Sequence, residues 1–217
     1  MAYIANKTTM KRFILILLAL AFVIPSAEAK RRETPEEIER KTRHYSGWEW
    51  GATGRFNLIF CDLNYTHIDG EKGVKDYRAQ ARLGGSIMLN GGYFFDNHWR
   101  LGAELGAQMQ YDYTVVPVMA TLHYYYGKRK TCLFNFLNLG TNMLFDKGVH
   151  FGATGMGGVG VRIQSPESDQ KYEITLGYQA LMMSPRPNMS GDFSFNKSDV
   201  SRLKLDQSVY IGFGIFF

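Results

Sequence analysis

Hydrolysis by a serine nucleophile requires a histidine within hydrogen-bond reach and a polar group to orient it. For that chemistry the sequence offers His150 and Ser184, with His123 as a second imidazole. The stretch THIDGEKGVKD gathers His67, Asp69, Glu71 and Asp76. Its spacing is not that of a calcium-binding loop, where ligands alternate and a glycine makes the sharp turn. The remaining candidates are ionic: Arg55, Arg82, Arg100, Glu104, Arg162 and Glu173, with Glu49, set singly among small and apolar residues. Which of these can meet depends on the elements that carry them.

The first residues carry a targeting pattern. Lys11 and Arg12 precede FILILLALAFVI, and PSAEA follows with small residues at alternate positions, as a signal peptidase requires. Those apolar residues rise about 18 Å as a helix, too short for a hydrocarbon core of about 30 Å. We read 1–29 as a signal peptide cleaved after Ala29, with Met1 or Met10 as the start. The leader's Lys7, Lys11, Arg12 and Glu28 sum to +2, so +3 remains of the chain's +5. No basic stripe interleaves with aromatics, which excludes nucleic acid as a partner. Residues 30–46, KRRETPEEIERKTRHYS, form a charged periplasmic extension. Thr34, Pro35 and Glu37 suit a helix start there.

From Trp48 the apolar period becomes two. Trp48, Trp50, Phe56 and Leu58 alternate with Glu49, Thr53, Arg55 and Asn57, so the two sets face opposite sides of a strand. The same alternation marks strands over 79–93, 99–111, 115–126, 149–164, 172–182 and 208–217. An eighth, 132–143, is assigned by its place in the meander. Its register stays open, because Leu133, Leu137 and Leu139 are odd while Phe134 and Phe136 are even.

Alternation alone fits a soluble barrel or its inverse. The polar face decides. Its only charges on the clean strands are Glu49, Arg55, Arg82, Arg100, Glu104, Arg162 and Glu173, and glycine recurs at Gly84, Gly102, Gly106, Gly158, Gly160, Gly212 and Gly214. A solvated face carries about 25–35% charged residues, so this face lines a narrow lumen. Trp48, Trp50, Tyr93, Trp99, Tyr111, Tyr124, Tyr126, Tyr172, Tyr178 and Phe217 then form aromatic girdles on the lipid face. Connections 61–78 and 183–206 are long, whereas FFDNH, GKRKT and SPESDQK are short. Both long ones fall at one end, as extracellular loops do, with short turns in the periplasm. The expected fold is all-β: an eight-stranded antiparallel up-and-down transmembrane barrel over 47–217. Cys61 and Cys132 then lie at opposite rims, too far apart for a disulfide.

The stretches GGYFFDNHWRLGAELGAQMQY and VVPVMATLHYYYGKRK resemble the small outer-membrane β-barrel proteins of Gram-negative bacteria, the PorT-like and OmpX-like group. YIGFGIFF is similar to the C-terminal signal read by the barrel-assembly machinery, through Tyr210, Gly212, Ile215 and Phe217. The resemblance implies the cell outer membrane and says little about activity.

On this frame His150 and His123 have lumenal parity, so neither meets a serine at a lipid-facing rim. We expect no catalytic residue, no metal and no cofactor. An eight-stranded barrel is filled by side chains rather than water, so Arg55, Arg82, Arg100, Glu104, Arg162 and Glu173 are expected to form a paired lumenal network. The expected role is non-enzymatic, structural or binding, through extracellular loops. Alternatives are an accessory subunit of a secretion or assembly system and a lipid-modifying enzyme. Expected partners are outer-membrane lipids, the barrel-assembly machinery, and an extracellular ligand or periplasmic protein.

Overall fold

The alternation becomes nine hydrogen-bonded strands in the computed structural model: β1 (Gly47–Ile68), β2 (Val74–Arg78), β3 (Arg82–Phe94), β4 (Trp99–Met109), β5 (Thr114–Tyr125), β6 (Thr131–Phe145), β7 (Val149–Gln164), β8 (Lys171–Met183) and β9 (Val200–Phe216). The structure describes residues 42, 45–68, 74–79, 81–110, 113–145, 149–165, 169–183 and 200–217. The leader, and Asp69, Glu71, Tyr111 and Ser184, fall outside them.

Successive strands pair antiparallel, and β9 returns to β1 from Gly51↔Phe216 to Ile68↔Val200. β2 and β3 share one neighbour. β3 pairs the first part of β1, up to Ile59↔Arg82, and β2 pairs the rest, from Asp62↔Arg78. They are two segments of one stave, so the cylinder has eight. Closure is required in lipid, where no water satisfies a free strand edge.

Three features depart from the sequence reading. Much of 61–78 is not loop: β1 runs on to Ile68 and β2 folds back on it. β9 likewise starts at Val200, eight residues before the expected 208. Phe60 is an inserted residue, because Ile59 lies opposite Ser208 and Cys61 opposite Gln207. Such a bulge reverses parity. Asn57 and Ile59 point inward before it, and Asp62 is buried after it. In β6 the open register resolves, with Phe134, Phe136, Asn138 and Asn142 buried and Leu137 and Leu139 exposed.

The distribution of polarity is inverted. Phe56 is 77% exposed and Ile87 72%, whereas Arg162 is fully buried. Soluble proteins rarely expose contiguous apolar patches beyond a few hundred Å²; here the apolar belt encircles the barrel. Leu105 lies mid-strand in that belt, half exposed. Leu105→Arg should therefore destabilise the barrel by about 2–4 kcal/mol in phospholipid bilayers. Leu105→Val should cost about 1 kcal/mol or less. Urea unfolding in vesicles measures both; equal midpoints would mean that the face is not lipid-facing.

Candidate functional site

Among the described residues the lumen gathers polar side chains, stacked in levels along the barrel axis. At the turn end, Arg162 ion-pairs with Glu49 and with Glu173 (2.9 Å). Arg100 (3.3 Å) and Lys171 (2.9 Å) also reach Glu49. Tyr125 donates its hydroxyl to Glu173 at 2.9 Å and accepts from Arg162 at the same distance. Rings close in around these ions. The Arg162 guanidinium lies 4.7 Å from the Tyr45 ring, 5.2 Å from Tyr125, 5.3 Å from Phe94 and 5.5 Å from Phe216. A planar guanidinium can stack on aromatic faces while its edge binds carboxylates, which suits it to a buried site.

One level up, Arg55 donates to both oxygens of Glu104 at 2.7 Å, and Asn138 donates to the same carboxylate at 3.2 Å. Tyr210 lies over the Arg55 guanidinium at 5.5 Å. The bulk of that ring needs space over the neighbouring strand, where its register partner is Gly177 and an added Cβ would lie 2.8 Å from its hydroxyl. Gly160 makes the same room for Phe134. Above this come the amides: Gln108 and Gln179 exchange hydrogen bonds at 2.9 and 2.8 Å, and Asn57 donates to Gln179 at 3.1 Å. At the loop end Lys204 lies 3.6 Å from both Asp62 and Asp206, and Tyr113 donates to Asp206. Val115, Leu144, Leu181 and Met183 pack together there as an apolar plug.

Of the expected network, Arg55, Arg100, Glu104, Arg162 and Glu173 meet as described. Arg82 lies half-buried at the start of β3, opposite Ile59. Lys171 and Tyr45 are members that the sequence reading placed in a turn and in the extension. A lysine bordering an alternating strand, at lumenal parity with Glu173, was the available signal; Tyr45 offered none. His123 stacks on Phe134 with centroids 5.4 Å apart and contacts the Tyr125 hydroxyl at 3.1 Å. That packing buries it among lumenal rings. His150 is half-buried on the lumenal face of β7. No group of metal-ligating side chains occurs among the described residues. Neither Cys61 nor Cys132 is in a disulfide, and both are buried. Tyr210 and Gly212 face the lumen; Ile215 and Phe217 face outward.

Between the two ionic levels Arg55, Glu104, His123, Asn138, Glu173 and Tyr210 enclose a cavity of about 10 Å³, the room of a single water.

No protein-family model matches the chain, and no curated protein matches its sequence. Solved structures match by shape. The outer membrane protein OprG from Pseudomonas aeruginosa superposes with a TM-score of 0.52 at 15% identity, covering 80% of this chain and 97% of that one. The fold is that of a small outer-membrane β-barrel. Two weaker matches are Ail, the attachment invasion locus protein of Yersinia pestis (TM-score 0.37, 14% identity, 80% of this chain and 100% of that one), and Neisserial surface protein A (0.34, 15%, 76% and 97%). At these identities the likeness to OprG is one of fold.

The Arg55–Glu104 pair gives this barrel a clean energetic test. Glu104→Leu strands a buried guanidinium and should cost about 3–5 kcal/mol. Arg55→Met combined with Glu104→Leu removes both charges and should recover most of that loss. Urea midpoints in detergent or vesicles decide; a double variant as unstable as the single one would mean that the pair is not energetically coupled.

Proposed function

We propose that this protein resides in the outer membrane of a Gram-negative bacterium as a closed barrel, non-enzymatic and non-conducting, which acts through what its loop end presents. The filled lumen carries this reading: charges, amides and an apolar plug follow one another along the axis. In this orientation the connections spanning 69–73 and 184–199 are extracellular. The first of them is borne on the β1–β2 hairpin, which extends past the end of β3. The short turns and the 30–46 segment are periplasmic. Export by the 1–29 leader, and insertion through Tyr210, Gly212, Ile215 and Phe217, complete the proposal.

One observation favours an accessory role at the periplasmic side as the second reading. The β5–β6 turn exposes Lys128 and Arg129, and Thr42 forms a backbone bridge with Arg129. A basic turn tied to the N-terminal segment would suit an acidic periplasmic partner.

Purified protein should insert into planar bilayers without stepwise ohmic conductance, and should fractionate with outer membranes in cells. Regular channel openings would overturn the closed-barrel reading. Recovery as a detergent-free soluble monomer would overturn the membrane assignment.

A further inference from the structure

Tyr45 belongs to no stave, yet its side chain is only 6% exposed. Its ring packs 4.9 Å from Phe94 and 6.3 Å from Tyr125, and it caps Arg162 at 4.7 Å and Lys171 at 5.7 Å. Two contacts hold the chain there from different turns. The Tyr45 N–H donates to Asn97 Oδ1 at 2.7 Å in the β3–β4 turn, and Thr42 bridges Arg129 in the β5–β6 turn. The chain thus reaches across the turn end of the barrel before entering β1. Gly47 joins the two with φ of 92°, a conformation that disfavours any side chain.

What the ring covers is charged unevenly. Arg100, Arg162 and Lys171 bring three cations, and Glu49 and Glu173 bring two carboxylates. Cys132 lies in the same buried cluster as Tyr45 and opposite Arg162 in register. Above this level Arg55–Glu104 and the Gln108–Gln179 pair still block the axis. Withdrawing Tyr45 would therefore open a vestibule and not a pore.

We propose that Tyr45 is a stopper: its ring seals the turn end of the lumen, and displacing it uncovers a net-positive vestibule there. The inference rests on the barrel's own geometry and not on its orientation in the membrane.

Cys132 reports the state of the stopper. In a Cys61→Ser background, with the full chain in detergent micelles, its reaction with methanethiosulfonates should be slow. Tyr45→Ala should raise the rate about tenfold or more, since a desolvated ring–cation contact is lost. Tyr45→Phe keeps the ring and should stay protected. The anionic sulfonatoethyl reagent should gain more than the cationic trimethylammonium one, because the vestibule carries excess positive charge. Asn97→Ala cuts the tether without touching the ring and should give a smaller rise in the same order of reagents. It decides the matter should Tyr45→Ala fail to show the gel mobility of a folded barrel. A Tyr45→Ala barrel that is folded and as protected as its parent overturns the proposal, as does a parent that reacts at the unfolded rate.

Discussion

Closing eight strands around themselves in lipid satisfies every strand edge and leaves a space that water cannot fill as bulk solvent. That constraint governs the rest of the molecule. Side chains on the inner face must occupy the lumen and bond to one another, since an unpaired buried ion costs several kcal/mol. Hence Arg55 takes both oxygens of Glu104, and Glu49 is shared among Arg100, Arg162 and Lys171. The glycines follow from the same constraint. Tyr210 and Phe134 can lie over the adjacent strand only because their register partners, Gly177 and Gly160, carry no side chain.

The outer face was legible in the sequence because lipid imposes one uniform demand on it. Every second residue must be apolar, and Phe56, Ile87, Leu105 and Ile211 are all exposed in the structure. The inner face obeys no such single rule. Phe134 and Phe136 are as apolar as any lipid-facing residue but pack against His123 inside, which is why the register of β6 could not be read from hydrophobicity alone. The bulge at Phe60 has no compositional mark, yet it reverses parity and brings Asp62 inward to face Asp206. Parity placed Arg82 on the lumenal face, and it stands half-buried at the start of β3 opposite the buried Ile59. Tyr45 could not have been found by alternation, because the segment that carries it is not a strand.

Within the lumen the kinds of interaction are sorted by height. Ions caged by rings occupy the turn end, a carboxylate–guanidinium pair the middle, amides the next level, and aliphatic residues the loop end beside Lys204. Ring faces carry negative potential and so contribute to holding cations that carboxylates alone do not balance. The three cations against two carboxylates at the turn end are accommodated by Tyr45, Phe94, Tyr125 and Phe216 around Arg162. A lysine in place of Arg162 would present a point charge and could not stack and bridge two carboxylates at once.

This sorting bears on where function can reside. The lumenal ions and amides are largely engaged with one another, and the lipid-facing belt offers chiefly packing contacts. What remains is the two ends, and they differ physically. The loop end carries an extended hairpin, β1–β2, and a paired β1–β9 wall that continues to Ile68↔Val200. Such paired walls give the connections a rigid support. The turn end instead is short, basic at Lys128 and Arg129, and wired through Tyr45 into the ionic cluster. Below the loop end lies the apolar plug of Val115, Leu144, Leu181 and Met183. At the turn end Tyr45 lies directly against Arg162, which holds Glu49 and Glu173. The two ends therefore differ in kind: paired strands extended beyond an aliphatic plug at one, and an aromatic cap over buried ions at the other.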